Sequence, residues 1–406
     1  MAMDGMKRAA MWGLALTWLL LGVGLPAHAE EFPVGDKGSM WADPYLIGSY
    51  RHMGDIYASR RVPRAGPVSE LPAGEPLTID SFPVGGVAMN LEDYVARART
   101  TGLIALKDGK IVLERYWHGA DATSRFASWS MAKSFVSTLV GFAIGDGLIK
   151  NVEDPVTDYL PELKDSGYDG VPIKAILQMS SGVAFNEDYE NSASDALIMW
   201  NAVLQYNKRT LSDFAVKSKR DLAPYAKFNY KGLDTVVLGM LVERVTGKNL
   251  ATDLAEKIWG PLGMEDDASW LLEDRSDRAL EAPFCCLNAR LRDYARFGQF
   301  MLQGGAWNGK QLLPASWVAE ATQPDRSQVA FGQLYPGSSL GYQYQWWVLE
   351  GPDRAFAAEG VNGQFIYVNP ARQLVIVMTN VWPRFWDNRL AKESFALFDA
   401  IGAAAP

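Results

Sequence analysis

The sequence predicts an α+β fold: a single antiparallel sheet flanked by helices, with a mostly helical second lobe. Strand-like, β-branched runs lie at both ends of the chain, at residues 103–107, 111–117, 364–368 and 374–379. Residues 150–290 between them read as helices joined by long loops, so the sheet must gather segments far apart in sequence. Length and composition agree. The 406 residues, 48% hydrophobic and 21% charged, are enough to bury a sizeable core.

The chain starts with an export pattern. Lys7 and Arg8 precede an apolar run over residues 9–25, and Ala27-His28-Ala29 supplies small residues for cleavage. Residues 1–29 are therefore expected to be a signal peptide and the protein periplasmic or secreted, the alternative being an uncleaved anchor. No later run is long and apolar enough to span a bilayer. Residues 30–90, rich in Pro, Gly and polar side chains, read as an irregular arm over the surface of a domain spanning 91–406. Its sheet lobe is expected from about 91–128 and 290–406, and its helical lobe from about 130–290.

Asp108-Gly109 turns the first two strands into a hairpin. A helix follows, opening at Ser130 and running to about Gly147. Further helices are expected over 233–245, 292–302 and 387–401, while Asn369-Pro370 separates the last two strands.

A net charge of −8 and the lack of any Lys/Arg-rich run argue against a nucleic-acid or anionic-membrane partner. Cys285 and Cys286 are the only cysteines and are adjacent. A bond between neighbours is strained, so two small buried apolar side chains are expected. No Cys/His spacing suits a metal, and no cofactor is expected.

The chemistry-bearing segment is Ser130-Met131-Ala132-Lys133, the one place where a Lys follows a Ser by three residues. On a helix these two share a face, so the amine reaches a hydroxyl that needs a base before it can attack. The first turn also offers free backbone N–H groups to developing negative charge. Two distant segments supply partners. Tyr230, in Phe228-Asn229-Tyr230 ahead of a helix, offers a phenol that can relay a proton. Gly360-Val361-Asn362-Gly363-Gln364 precedes a strand, where glycines allow close backbone approach and an edge N–H can be a second oxyanion donor. Neither His52 nor His118 lies in a Gly-x-Ser-x-Gly context, which argues against a Ser-His-Asp hydrolase.

The order of these segments resembles the serine β-lactamase and penicillin-recognising superfamily, in its class C-like branch, nearest to nylon-oligomer hydrolases and related esterases. The resemblance runs over residues 95–400. It rests on Ser130-Met131-Ala132-Lys133, Met179-Ser180-Ser181-Gly182-Val183, Glu187-Asp188-Tyr189, Phe228-Asn229-Tyr230, Asp293-Tyr294-Ala295-Arg296-Phe297-Gly298, Gln345-Trp346-Trp347 and Gly360-Val361-Asn362-Gly363-Gln364. It implies that Ser130 forms an acyl-enzyme, that Lys133 and Tyr230 handle its protons, and that the N–H groups of Ser130 and Val361 form the oxyanion hole. Tyr189, Gly360, Asn362 and Gly363 become candidate substrate contacts. The expected substrate is a small ester or linear amide. A D-amino-acid-selective peptidase or peptidoglycan carboxypeptidase, or a non-turnover penicillin-sensor-like domain, are the alternatives; the oligomeric state is open. Two departures argue against efficient β-lactam hydrolysis. Gly232 stands where those lactamases carry an Asn, and Ala358-Glu359-Gly360 replaces their Lys-Thr-Gly. The acidic residue that nylon-oligomer enzymes turn to a substrate amine falls near Trp200.

Overall fold

The computed structural model describes residues 32–405; the expected signal peptide lies outside the described residues. In chain order, the strands that build the two larger sheets are β1 (Ser59–Val62), β2 (Thr100–Lys107), β3 (Lys110–Tyr116), β4 (Arg125–Ala127), β5 (Ala268–Leu271), β6 (Leu287–Arg290), β7 (Gly341–Gln343), β8 (Trp346–Val348), β9 (Phe356–Gly360), β10 (Gln364–Asn369) and β11 (Leu374–Asn380). The principal helices are α1 (Ala132–Gly145), α2 (Gly232–Thr246), α3 (Leu291–Leu302) and α4 (Asn388–Ala404).

Seven strands pair in the order β7-β8-β9-β10-β11-β2-β3, every neighbour antiparallel. The central strands are buried on both faces, and period-two alternation divides their side chains between two cores. Ile104, Leu106, Ile366, Val368, Val375 and Val377 face the core shared with α1, α2 and α3. Leu103, Ala105, Phe365, Tyr367, Ile376 and Met378 face a second core closed by Leu397, Phe398 and Ile401 of α4 and by the helix Leu91–Ala98. This is the α+β sandwich the end-loaded strand pattern implies.

Three features depart from expectation. Residues 30–90, expected to be irregular, carry two short helices (Leu46–Arg51, Met53–Ile56), a strand pair (Ser81–Val84 with Val87–Asn90) and β1. β1 joins β5, β6 and β4 in a four-stranded sheet, so the span expected to be helical also supplies two strands. Cys285 and Cys286, expected to be free thiols, form a disulfide. The turn accommodates the linkage by placing Cys286 in the left-handed region at φ 73°, with both residues buried against the core.

No helix among the described residues is long and apolar enough to cross a membrane.

Candidate active site

Local backbone geometry presents the Ser130 hydroxyl. Trp129 adopts φ +43°, unusual for a bulky residue, and opens a 3-10 turn, Trp129–Met131, ahead of α1. Such strain persists only where packing over-determines it. Here the Trp129 indole is held by Trp41, Tyr50 and Trp200, with ring centroids 5.7, 5.2 and 5.9 Å away. Ser130 follows, 8% exposed, at the head of the helix.

Lys133 lies one turn on and its Nζ donates to Ser130 Oγ at 2.9 Å, as the three-residue spacing requires. A second bond, 2.8 Å to the carbonyl of Phe284, also holds the amine. The side chain is 1% exposed, and burial pushes its pKa down to about 8, against the opposing pull of the Glu187 carboxylate.

Tyr230 stands just ahead of α2 beside Ser130, and its ring centroid lies 4.9 Å from Lys133 Nζ. Burial raises its phenol pKa well above the ordinary tyrosine value; the bond to Ser130 acts in the opposite sense. Trp347 stacks on the ring at 5.5 Å. The next residues are anchored by a buried ion pair, Lys231 to Asp234 at 3.5 Å, with Ser181 and Tyr168 donating to the same carboxylate at 2.8 Å each. Gln345 ties the helices together: its carbonyl accepts from Ser134 of α1 at 2.7 Å and its side-chain oxygen from Thr235 of α2 at 2.8 Å. Together these contacts place the phenol, the amine and the hydroxyl in one group.

At the sheet edge, Gly360 ends β9 directly against the turn that carries Ser130. A Cβ there would lie 2.6 Å from the Ser128 carbonyl and 3.1 Å from the Ser130 nitrogen, so only glycine permits this approach. Val361 follows and lines a cavity of about 420 Å³ that opens on Ser130. Its wall also includes Trp41, Trp129, Tyr189, Trp200 and Phe385.

Tyr189 lines the cavity as expected of a substrate contact, its hydroxyl donating to Glu187 at 2.6 Å. Asn362 and Gly363 do not line it. Asn362 is 4% exposed and holds loop backbone: it accepts from Tyr50 at 3.0 Å and donates to the carbonyls of Trp382 and Arg384 at 2.8 and 3.1 Å. Gly363 packs beneath Trp382, whose ring a Cβ would meet at 2.2 Å. Gly360 does not line it either; Asn362 and Gly363 support the Val361 loop.

Local pattern did not single out Glu187 or the Phe284 carbonyl. Glu187 accepts from the Gly232 backbone N–H at 2.9 Å, and a Cβ at 232 would meet its Oε1 at 3.4 Å. The carboxylate thus stands against the position where the lactamase Asn was expected. Burial raises its pKa, opposed first by the charge of Lys133. Glu359 is 5% exposed, its Oε1 has no hydrogen-bond partner, and burial raises its pKa to about 8.

The fold and this arrangement define a β-lactamase-like protein of the serine hydrolase type. Residues 87–395 match the Beta-lactamase family model, and the chain belongs to that family. It is 26% identical over 370 residues to 6-aminohexanoate-dimer hydrolase from Paenarthrobacter ureafaciens, covering 88% of this chain and 92% of the relative. A solved Bacillus anthracis protein provisionally named 6-aminohexanoate-dimer hydrolase superposes with TM-score 0.80 at 27% identity, over 90% of this chain and 96% of that one. A family VIII carboxylesterase shares the fold, with TM-score 0.56 at 20% identity over 76% and 95% of the two chains.

Proposed function

We propose that this protein is an exported serine hydrolase that cleaves a carboxylic ester or linear amide through an acyl-enzyme on Ser130. The observation that carries the reading is the convergence of Ser130, Lys133 and Tyr230, with Ser130 on the wall of a cavity rich in aromatic rings. The reading also agrees with the hydrolase names of the relatives.

The opposite pKa displacements divide the proton work. Lys133, brought down to about 8, is available as a neutral amine near neutral pH and takes the Ser130 proton as Oγ bonds to the substrate carbonyl carbon. Tyr230, raised far above neutrality, stays protonated and gives its proton to the departing alcohol or amine as the C–O or C–N bond breaks. The Lys133 ammonium then reprotonates the phenolate. The backbone N–H groups of Ser130 and Val361 hold the oxyanion. A water, deprotonated by the same pair, attacks the acyl carbon and returns the proton to Ser130 Oγ. The export signal over residues 1–29 and the Cys285–Cys286 bond both suit an oxidising compartment.

Ser130→Ala is expected to abolish hydrolysis of p-nitrophenyl butyrate while the circular dichroism spectrum stays unchanged. A fluorophosphonate probe is expected to label Ser130. Retained turnover, or labelling elsewhere, would refute the reading.

A further inference from the structure

The cavity beside Ser130 ends on a cation that the acyl-transfer chemistry does not use. Lys37 enters its wall from the segment preceding Trp41. Its Nζ donates to the Leu204 carbonyl at 2.6 Å and lies 4.9 Å from the Tyr57 ring centroid. Both contacts are uncharged, so among the described residues the half-buried ammonium has no carboxylate partner. Burial lowers its pKa, and the nearby positive charge of Arg275 adds to the effect. Lys37 is the cation on the cavity wall among the described residues, and Arg275 adds positive potential from outside it.

A line of aromatic rings separates this end from the nucleophile. Trp129, next to Ser130, touches Trp200 at 5.9 Å, and Trp200 touches Tyr57, the ring beneath Lys37, at 5.7 Å. Among the described residues the one carboxylate on the cavity wall is Glu187, whose charge acts on Lys133 beside Ser130. The polarity is a reactive carbonyl site, an apolar passage and a positive terminus.

Tyr230, the group assigned to the leaving atom, does not line the cavity, whereas Ser130 and Val361 do. The cavity therefore lies on the acyl side of the scissile bond.

We propose that the cavity is an acyl subsite for chains ending in a second, distal carboxylate, and that Lys37 is the residue that selects it. The substrate class is then half-esters or half-amides of dicarboxylic acids with an aliphatic or aromatic spacer. This rests on the acyl-enzyme reading of Ser130.

The test compares p-nitrophenyl hexanoate with the p-nitrophenyl half-esters of adipic and suberic acid and with p-nitrophenyl 6-aminohexanoate, on wild type, Lys37→Met, Lys37→Arg and Lys37→Glu. Wild type is expected to favour a half-ester over the amino ester by at least tenfold in kcat/KM, and added NaCl to erode that preference. The ratio of half-ester to hexanoate is expected to fall at least tenfold in Lys37→Met, mainly through KM. It should survive in Lys37→Arg, and the order of half-ester and amino ester should invert in Lys37→Glu. Wild-type turnover of hexanoate with no preference for the half-esters, or a ratio unchanged in Lys37→Met, would overturn the assignment of Lys37 alone. Turnover of none of the esters, or turnover that survives Ser130→Ala, would overturn the parent reading instead.

Discussion

Lys133 Nζ lies 2.9 Å from Ser130 Oγ in a site that burial has made hostile to the ammonium form. With its pKa near 8, the amine is neutral above that pH and protonated below it. The kcat/KM for p-nitrophenyl butyrate should therefore rise about tenfold per pH unit below about 8 and level off above it. The Glu187 carboxylate favours the ammonium, so Glu187→Gln should move the midpoint to lower pH. A shift to higher pH, or a flat profile, would remove Lys133 from the role of base.

The same displacement makes Lys133 costly to the fold. Its folded pKa, about 8, is below the value of about 10.4 expected when unfolded, so between these pH values the unfolded chain binds more protons. Stability should rise as pH climbs through that window, and the burial cost is carried in full below about 8. Lys133→Met removes this cost of about 3 kcal/mol but forfeits two hydrogen bonds, for a net gain on the order of 1 kcal/mol. Differential scanning calorimetry should show the variant melting a few degrees above wild type at pH 7, with the gap shrinking at pH 10. A variant equally destabilised at both pH values would contradict the argument.

Tyr230→Phe should separate substrates by leaving group. Nitrophenolate departs without a proton, whereas an amine or alkoxide needs one. The variant is expected to lose about 10²–10⁴-fold in kcat on a linear amide or alkyl ester, the range typical of general acid–base catalysis, and much less on a p-nitrophenyl ester. Equal losses on both would assign the phenol to Ser130 activation rather than to leaving-group protonation.

The Ser130–Lys133 contact was legible because helix geometry alone fixes the relation between the two residues. The seven-stranded sheet was legible in outline from its β-branched runs, such as Leu374–Asn380. What escaped is contact made by backbone or by remote segments. The Phe284 carbonyl that orients Lys133 has no side-chain signature, and Glu187 comes to the site through a loop whose path is set by tertiary packing. Lys37 and Trp41 belong to a stretch that looked like surface wrapping by composition, yet both line the cavity. The Cys285–Cys286 bond depends on a left-handed backbone at Cys286 that no local pattern announced.

Asn362 illustrates a residue that sits in the right segment for a different reason. Its side chain bonds to Tyr50, Trp382 and Arg384, and it occupies φ +58°, a conformation Asn tolerates better than Ala. Asn362→Ala should cost about 3 kcal/mol through orphaned partners and backbone strain. Chemical denaturation should register that loss, while kcat of the folded enzyme stays within about tenfold of wild type. A large KM effect with unchanged stability would return Asn362 to the role of substrate contact.

Gly360→Ala tests the sheet edge against the nucleophile directly. The added methyl would fall 2.6 Å from the Ser128 carbonyl and 3.1 Å from the Ser130 nitrogen, and both neighbours are main-chain atoms with little freedom to retreat. Either β9 withdraws, taking the Val361 N–H with it, or the 3-10 turn bearing Ser130 rotates. Each movement would spoil one of the proposed oxyanion donors, and losing such a donor typically costs about 10²–10³ in kcat. Overpacking adds about 1–3 kcal/mol of destabilisation, which a thermal melt will show. If the variant melts lower but keeps wild-type kcat, the Val361 N–H is not part of the oxyanion hole, and that donor must be sought on another backbone segment facing Ser130.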